Sequence, residues 1–167
     1  AASNIKNGIS ARTITDTRWS GCHTKAITLL PNVLAKTNAQ QQEAQDGIFV
    51  KNNYALEGTS SNLFIAKSGI VKTTPLTENI LPGITRSIVL EILSKLKINH
   101  KEELISIDEL LQADEVWITS STQEITAVTS IDNKTIGTGK PGSLWEQVYA
   151  QYQKQKQCVA QLAKNTE

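Results

Sequence analysis

Residues 54–62 read Tyr-Ala-Leu-Glu-Gly-Thr-Ser-Ser-Asn, and this stretch decides how the rest of the chain is interpreted. Glu57 ends a short apolar run and is followed by a glycine and three hydroxyl residues. Gly58 lets a backbone approach a ligand closely, and the hydroxyl groups of residues 59–61 can turn to bind an anion. The stretch predicts either an ordinary turn or a strand that ends at a binding site, with the Glu57 carboxylate aimed into a cleft.

Composition limits the classes of function. The 167 residues suffice for one domain with its own core, and 39% hydrophobic with 20% charged residues is typical of a soluble globular protein. The formal net charge of +1 gives no support to binding of nucleic acid or of an anionic membrane. No apolar run is long enough to span a bilayer. Because Cys22 and Cys158 have no metal or redox spacing, we expect a reducing, cytoplasmic setting and no bound metal.

Hydrophobic periodicity in the first half predicts a strand, a helix and several short strands. Residues 10–19 form the first predicted strand, and a helix follows between residues 26 and 44, with Pro31 in its first turn and Asp46-Gly47 at its end. Turns at Asn52-Asn53 and at residues 67–69 separate the next strands. These predicted strands are Ile48–Lys51, Ala55–Glu57, Leu63–Ala66 and Ile70–Lys72.

The second half alternates helices with strands. A helix opening at residues 81–86 has a predicted buried face of Ile88, Val89, Ile92, Leu93 and Leu96. Two capping boxes, Ser106 with Glu109 and Ser143 with Glu146, predict a short helix at residues 107–111 and a C-terminal helix to about residue 162. Strands are predicted at residues 115–118 and 124–130. This order predicts an α+β fold with a mixed or mostly antiparallel sheet flanked by helices, and not a doubly wound α/β array.

Four features of the sequence indicate chemistry when they are taken together. Lys25 precedes an apolar run, which disfavours its ammonium form and makes its amine a usable nucleophile; the alternative is a surface lysine. Glu57 supplies a carboxylate. Pro82-Gly83 leads into a helix whose first amides, at Ile84 and Thr85, are unpaired and suited to a phosphate. Residues 119–122 form a second hydroxyl cluster, or else a simple hairpin turn. A lysine, a carboxylate and two phosphate-binding turns describe a site for pyridoxal phosphate.

Five segments of the chain resemble the class IV, fold type IV pyridoxal-phosphate enzymes, and among them the D-amino acid aminotransferases. The segments occur in the family's order across about residues 12–140. They are Asp16-Thr17-Arg18-Trp19, Thr24-Lys25-Ala26 continuing to Lys36, Glu57-Gly58-Thr59-Ser60-Ser61-Asn62, Ile80-Leu81-Pro82-Gly83-Ile84-Thr85-Arg86, and Thr119-Ser120-Ser121-Thr122-Gln123-Glu124-Ile125. The resemblance implies the pseudo-barrel fold of the family's C-terminal domain.

The resemblance also implies a role for individual residues. Lys25 matches the lysine that forms the Schiff base with the cofactor, and Glu57 matches the glutamate paired with the pyridine nitrogen. Cofactor contacts are further implied for Ser61 (or Ser60), Ile84, Thr85, Ser120 and Ser121. Arg18 is expected to have only a supporting electrostatic role. The implied reaction is transfer of an amino group between an amino acid, such as D-alanine, and a 2-oxo acid.

The length of the chain departs from the family pattern. Members carry an N-terminal α/β domain of roughly one hundred residues that is missing here. The chain contains no methionine, which indicates part of a longer protein, although a processed terminus would look similar. The resemblance implies that residues 1–167 are the C-terminal cofactor-binding domain of such a protein. The family forms homodimers in which both subunits build each site, and the same assembly is expected of the full-length protein.

Two other interpretations remain open at this stage. The first is a related activity with the same lysine and glutamate, either an aminodeoxychorismate lyase or a branched-chain aminotransferase. The second is a domain that keeps the fold but is catalytically inert alone. Retention of Lys25, Glu57 and both phosphate turns argues against lost chemistry in the parent protein.

Overall fold

A computed structural model describes residues 7–18 and 30–164 and shows a mixed α+β architecture. The helices, in chain order, are α1 (Leu30–Gln41), α2 (Ile84–Lys95), α3 (Ile107–Leu111) and α4 (Ser143–Lys164). The strands are β1 (Ile9–Thr15), β2 (Asp46–Lys51), β3 (Tyr54–Gly58), β4 (Asn62–Lys67), β5 (Ile70–Thr73), β6 (His100–Glu102), β7 (Ile105–Ser106), β8 (Glu115–Ser120), β9 (Glu124–Ile131) and β10 (Lys134–Thr135). The α+β prediction is confirmed.

Six of the strands close into a ring. The order β4-β8-β9-β1-β2-β3 returns to β4 through the pairing of Glu57 with Asn62. Strand β1 runs parallel to both of its neighbours, β2 and β9, and the other pairs within the ring are antiparallel. Strands β5 and β6 extend the sheet from β4, β7 extends it from β3, and β10 pairs with β9. The predicted mixed sheet is therefore a closed pseudo-barrel.

Alternation along the strands separates two cores. Leu63 and Ile65 of β4 join residues from all six ring strands in one cluster, which therefore fills the barrel. Phe64 and Ala66, one position along, point the other way and pack with apolar residues of α2 and α4. A smaller cluster under α1 contains Phe49. Consequently α1 and the α2–α4 pair cover different parts of the outer face of the barrel.

Local turn chemistry produces the hairpins. Asn52 and Asn53 both have positive φ, 52° and 66°, as a two-residue turn between β2 and β3 requires. Ser68 and Gly69 do the same between β4 and β5, with φ of 49° and 79°. Both predicted turns are therefore confirmed. Asparagine and glycine favour such turns because they tolerate positive φ better than other residues.

Three details of the predicted elements are wrong. Helix α1 ends at Gln41, and a left-handed Glu43 (φ 61°) reverses the chain, so Asp46-Gly47 belongs to β2 instead of ending the helix. Leu96, which was predicted to lie on the buried face of α2, caps the C-terminus of that helix instead and is 37% exposed. Ser143 is the first residue of α4 and not its N-cap, and the Glu115 carboxylate accepts the Leu144 and Trp145 amides at 3.0 and 2.8 Å in place of a capping box.

Candidate active site

Glu57 lies at one end of the barrel, where β3 turns into β4. Gly58 donates its amide to the Ser61 carbonyl at 2.7 Å, which closes the turn tightly. A Cβ atom added at Gly58 would lie 2.1 Å from the Ser61 hydroxyl oxygen, so any larger residue there would force that hydroxyl to move. The turn thus holds Glu57 opposite Asn62 with its side chain buried.

A clamp behind this turn ties it to α1 and β2. Thr59 donates its hydroxyl to Asp46 and its amide to the Gly47 carbonyl at 3.0 Å. The Asn32 side chain of α1 donates to the Thr59 carbonyl at 2.8 Å. The backbone that carries Glu57 is therefore fixed from both neighbouring elements.

The Glu57 carboxylate is paired with a buried cation. Arg18 Nη1 donates to Glu57 Oε1 at 2.6 Å, and Arg18 also makes a two-pronged pair with Asp16 through Nε (2.9 Å) and Nη2 (3.0 Å). The other Glu57 oxygen, Oε2, accepts the Leu81 amide at 3.2 Å. The guanidinium lies 4.0 Å above the Phe49 ring. We call Asp16, Arg18 and Glu57 the buried charge cluster.

Burial and pairing act in opposite directions on this cluster. Burial raises the pKa of Glu57 above its ordinary value, and the hydrogen bond and charge of Arg18 only partly offset this rise. Burial alone would lower the pKa of Arg18, but hydrogen bonds to Asp16 and Glu57 and their charges raise it. Arg18 therefore stays cationic, while the anionic form of Glu57 is only partly stabilised by the described groups and would gain from a further positive charge.

The start of α2 is attached to the same end of the barrel. The Asn62 side chain donates to the Leu81 carbonyl at 2.7 Å, and a Cβ at Gly83 would lie 2.2 Å from Asn62 Oδ1. Gly83 is the N-cap residue of α2 and provides no side-chain cap. The amides of Ile84 and Thr85 therefore begin the helix next to Asn62, at the positive end of its dipole.

The hydroxyl cluster of residues 119–122 reaches this region through the sheet. Thr119 pairs with Asn62 in the β4–β8 register. The prediction of a turn from Thr119 is wrong in part, because β8 continues through Ser120. The Ser120 hydroxyl accepts the Gln123 amide at 3.0 Å and lies 3.5 Å from the Thr122 hydroxyl, and Ser121 is exposed. The side-chain oxygens of Ser61 and Thr119 are buried without a hydrogen-bond partner among the described residues.

The structure therefore brings most of the predicted site residues to one barrel end. The turn 58–61, the start of α2 and the end of β8 all adjoin Asn62. Lys25 and the segment around it lie outside the described residues. Asn62, Asp16 and the direct Arg18–Glu57 pair were missed by the sequence reasoning, since no local pattern reports a contact between residues 39 positions apart.

A known protein family matches most of this chain. The family described as amino-transferase class IV matches residues 1–131. The chain belongs to the class IV aminotransferase family. D-alanine aminotransferase from Bacillus licheniformis is 46% identical over 143 residues, which cover 86% of this chain and 50% of that protein. The enzyme of the same name from Staphylococcus haemolyticus is 38% identical over 151 residues, covering 90% and 54%. The chain thus spans about half the length of the curated relatives it matches.

Solved structures of branched-chain amino acid aminotransferases have the same fold. The branched-chain amino acid aminotransferase of Escherichia coli superposes with a TM-score of 0.82 and 30% identity, covering 89% of this chain and 51% of that one. The T.th. branched-chain amino acid aminotransferase, complexed with N-(5'-phosphopyridoxyl)-L-glutamate, gives a TM-score of 0.81 and 26% identity over 89% of this chain and 51% of that one.

Among the described residues, no helix has the length and apolar character to cross a membrane.

Proposed function

We propose that residues 1–167 form the C-terminal, cofactor-binding domain of a pyridoxal-phosphate-dependent aminotransferase that acts on a D-amino acid such as D-alanine and a 2-oxo acid. The observation that carries the proposal is the convergence of a buried carboxylate, Glu57, and an α2 N-terminus without a side-chain cap at one end of the barrel. D-alanine is favoured as substrate because the relative from Bacillus licheniformis shares 46% of the aligned residues.

The described residues fit pyridoxal phosphate. Glu57 suits a protonated ring nitrogen, because a buried carboxylate is stabilised by a neighbouring cationic donor. The amides of Ile84 and Thr85 suit the phosphate. Ser120 and Ser121, which follow Thr119 at the end of β8, are proposed to add hydroxyl donors. The buried Ser61 oxygen, without a partner among the described residues, is a further polar group available to the cofactor.

Each of these residues then has a task in catalysis. Bound pyridoxal phosphate supplies an electrophilic carbonyl carbon and a ring that accepts electrons. Lys25 Nζ holds the cofactor and, once released, moves the proton from the substrate Cα. Glu57 keeps the ring nitrogen protonated, and the α2 N-terminus fixes the phosphate so that the ring stays oriented. The side chains that grip the substrate carboxylate are proposed to come from the remaining half of the full-length protein.

A branched-chain aminotransferase is the second candidate. The E. coli enzyme of that name matches 89% of this chain with a TM-score of 0.82, and the same lysine and glutamate would serve L-leucine. Assays of the full-length protein with D-alanine, with L-leucine and with aminodeoxychorismate separate the two candidates and the lyase alternative.

A homodimer and a cytoplasmic setting complete the proposal. Leu30, Val33 and Leu34 are all exposed on α1, which supports burial of this helix face in a larger assembly. The cytoplasmic setting rests on the sequence, whose two cysteines have no redox or metal spacing.

Reductive trapping tests the proposed function. Full-length protein loaded with pyridoxal phosphate is treated with borohydride and mapped by peptide mass. We expect one cofactor-labelled peptide, modified at Lys25, and no label in a Lys25→Ala variant. Lys67→Ala is the matched control, because Lys67 is an exposed surface residue paired with Asp114, and this variant should label normally. Wild-type protein without a label on Lys25 would contradict the proposal.

A further inference from the structure

We propose that Arg18 is a positioning residue that holds Glu57 as an anion, and that Asp16 shares Arg18 so that the buried charge cluster keeps one negative charge for a cationic ligand group. The role for a ligand rests on the proposed function, because the cation would be the protonated ring nitrogen of the cofactor. The effect on Glu57 itself is a property of the protein without cofactor.

The geometry fixes the orientation of Glu57. Arg18 contacts only Oε1 at 2.6 Å, while Oε2 accepts the Leu81 amide at 3.2 Å. The Asn62 side-chain amide also donates to Oε2, at 3.4 Å. The carboxylate is therefore held from the β1 side and from the α2 side, and Oε1 retains a lone pair for another donor.

The charge count explains why Asp16 matters. One guanidinium faces two carboxylates, so the cluster carries a net charge of −1, and the three side chains are between 2% and 7% exposed. Arg18 binds Asp16 through two nitrogens and Glu57 through one, which leaves Glu57 the less compensated acid. Within the described part of the chain, Arg18 and Asp16 are the charged groups with the largest effects on the pKa of Glu57.

Packing prevents Arg18 from leaving the pair. The guanidinium is stacked on Phe49, and Asp16 is attached to β2 because it donates its amide to the Val50 carbonyl at 2.8 Å. A lysine could supply the charge but not the planar fork that binds Asp16 and Glu57 together. Arg18 therefore combines a fixed position with a fixed charge.

The experiment is a titration of the Glu57 carboxyl group by ¹³C NMR in full-length protein without cofactor, with the signal assigned by its loss in Glu57→Gln. Arg18→Gln should raise the Glu57 midpoint by about 1–3 pH units, because it removes the adjacent cation. Asp16→Asn should lower the midpoint by a smaller amount, because Arg18 then acts on Glu57 alone. Arg18→Lys should give a midpoint between those of wild type and Arg18→Gln.

The opposite shifts of the Glu57 midpoint in Arg18→Gln and Asp16→Asn distinguish a positioning role of Arg18 from simple packing. If Arg18→Gln does not fold, Asp16→Asn alone decides the question, because it preserves the shape of the side chain. An Asp16→Asn midpoint that is unchanged or raised would overturn the proposal, as would a folded Arg18→Gln with an unchanged midpoint. A failed borohydride label on Lys25 together with the expected midpoint shifts would contradict the proposed function and leave the role of Arg18 at Glu57 standing.

Discussion

The buried charge cluster has a counterpart on the surface. Lys72 is also shared by two carboxylates, at 2.7 Å from Glu109 and 3.3 Å from Glu103. The side chains of this surface cluster, Lys72, Glu103 and Glu109, are 24–49% exposed, whereas those of the buried charge cluster are almost completely buried. Both clusters have one cation, two anions and short contacts, so they differ mainly in access to water.

The two clusters affect their glutamates in opposite ways. The hydrogen bond from Lys72 lowers the pKa of Glu109, whereas burial raises the pKa of Glu57 despite its pair with Arg18. Water solvates the Glu109 anion, so the ion pair adds to an anion that is already stable; the Glu57 anion has lost that solvation. Burial, and not the number of ion pairs, decides whether a carboxylate in this chain seeks another cation.

The largest expected effect follows from removing Glu57. In the full-length protein, Glu57→Ala should lower kcat for the proposed amino transfer by about 10²–10³-fold, because a preorganised electrostatic contact to the ring is lost. Turnover should fall far more than stability, since Arg18 keeps its two-pronged pair with Asp16. Steady-state kinetics and thermal unfolding measure the two effects.

Glu109→Ala is the matched control for that variant, because it removes one acid from the surface cluster. It should leave kcat unchanged. Full turnover in folded Glu57→Ala would mean that the difference between the clusters has no functional consequence.

Local features of the fold were predictable from the sequence. The turn at Asn52-Asn53 and the capping box of Ser106 with Glu109 depend on residues within a few positions of one another, and both occur as predicted. The failed capping box at Ser143 shows the limit of such reasoning. A carboxylate from β8, Glu115, takes the amides of α4, and only the folded chain brings it there.

The candidate site was predictable as a set of segments but not as a geometry. Glu57 and Gly83 stand in segments that resemble the family, and Gly83 is explained by its close approach to Asn62. The pair of Arg18 with Glu57 depends on the strand register between β1, β2 and β3, including an irregularity between Ile48 and Val50. Hydrophobic alternation gives the faces of strands but not their register, so the charge cluster could not be derived from it.

A smaller effect should appear in the dependence of stability on pH. A carboxyl group whose pKa is raised by folding stabilises the folded state fully at pH values below its ordinary pKa of 4.5. This contribution is lost as the pH rises through the pKa of the folded state, and Glu57 is expected to behave in this way. A carboxyl group whose pKa is lowered by folding stabilises the folded state at pH values above 4.5. This contribution is lost as the pH falls through the pKa of the folded state, as expected for Glu109. Each slope is limited to about 1.4 kcal/mol per pH unit, the value for one proton.

Denaturant unfolding at a series of pH values tests these signs in cofactor-free protein. The stability of wild type relative to Glu57→Gln should fall above pH 4.5, and that relative to Glu109→Gln should fall below it. The same sign of slope for both glutamates would remove the distinction between the clusters.

The smallest effect is expected at Lys72. Lys72→Met keeps the length of the side chain and removes its charge, and it should cost no more than about 1 kcal/mol in the free energy of unfolding, because exposed ion pairs contribute little. At 1 M salt, where the screening length is about 3 Å, the difference from wild type should nearly vanish. Lys101→Met serves as control, since Lys101 touches Glu103 at 3.5 Å and the pair is about half exposed. A loss well above that bound that persists in salt would show that Lys72 is held as firmly as Arg18, and that exposure alone does not separate the two clusters.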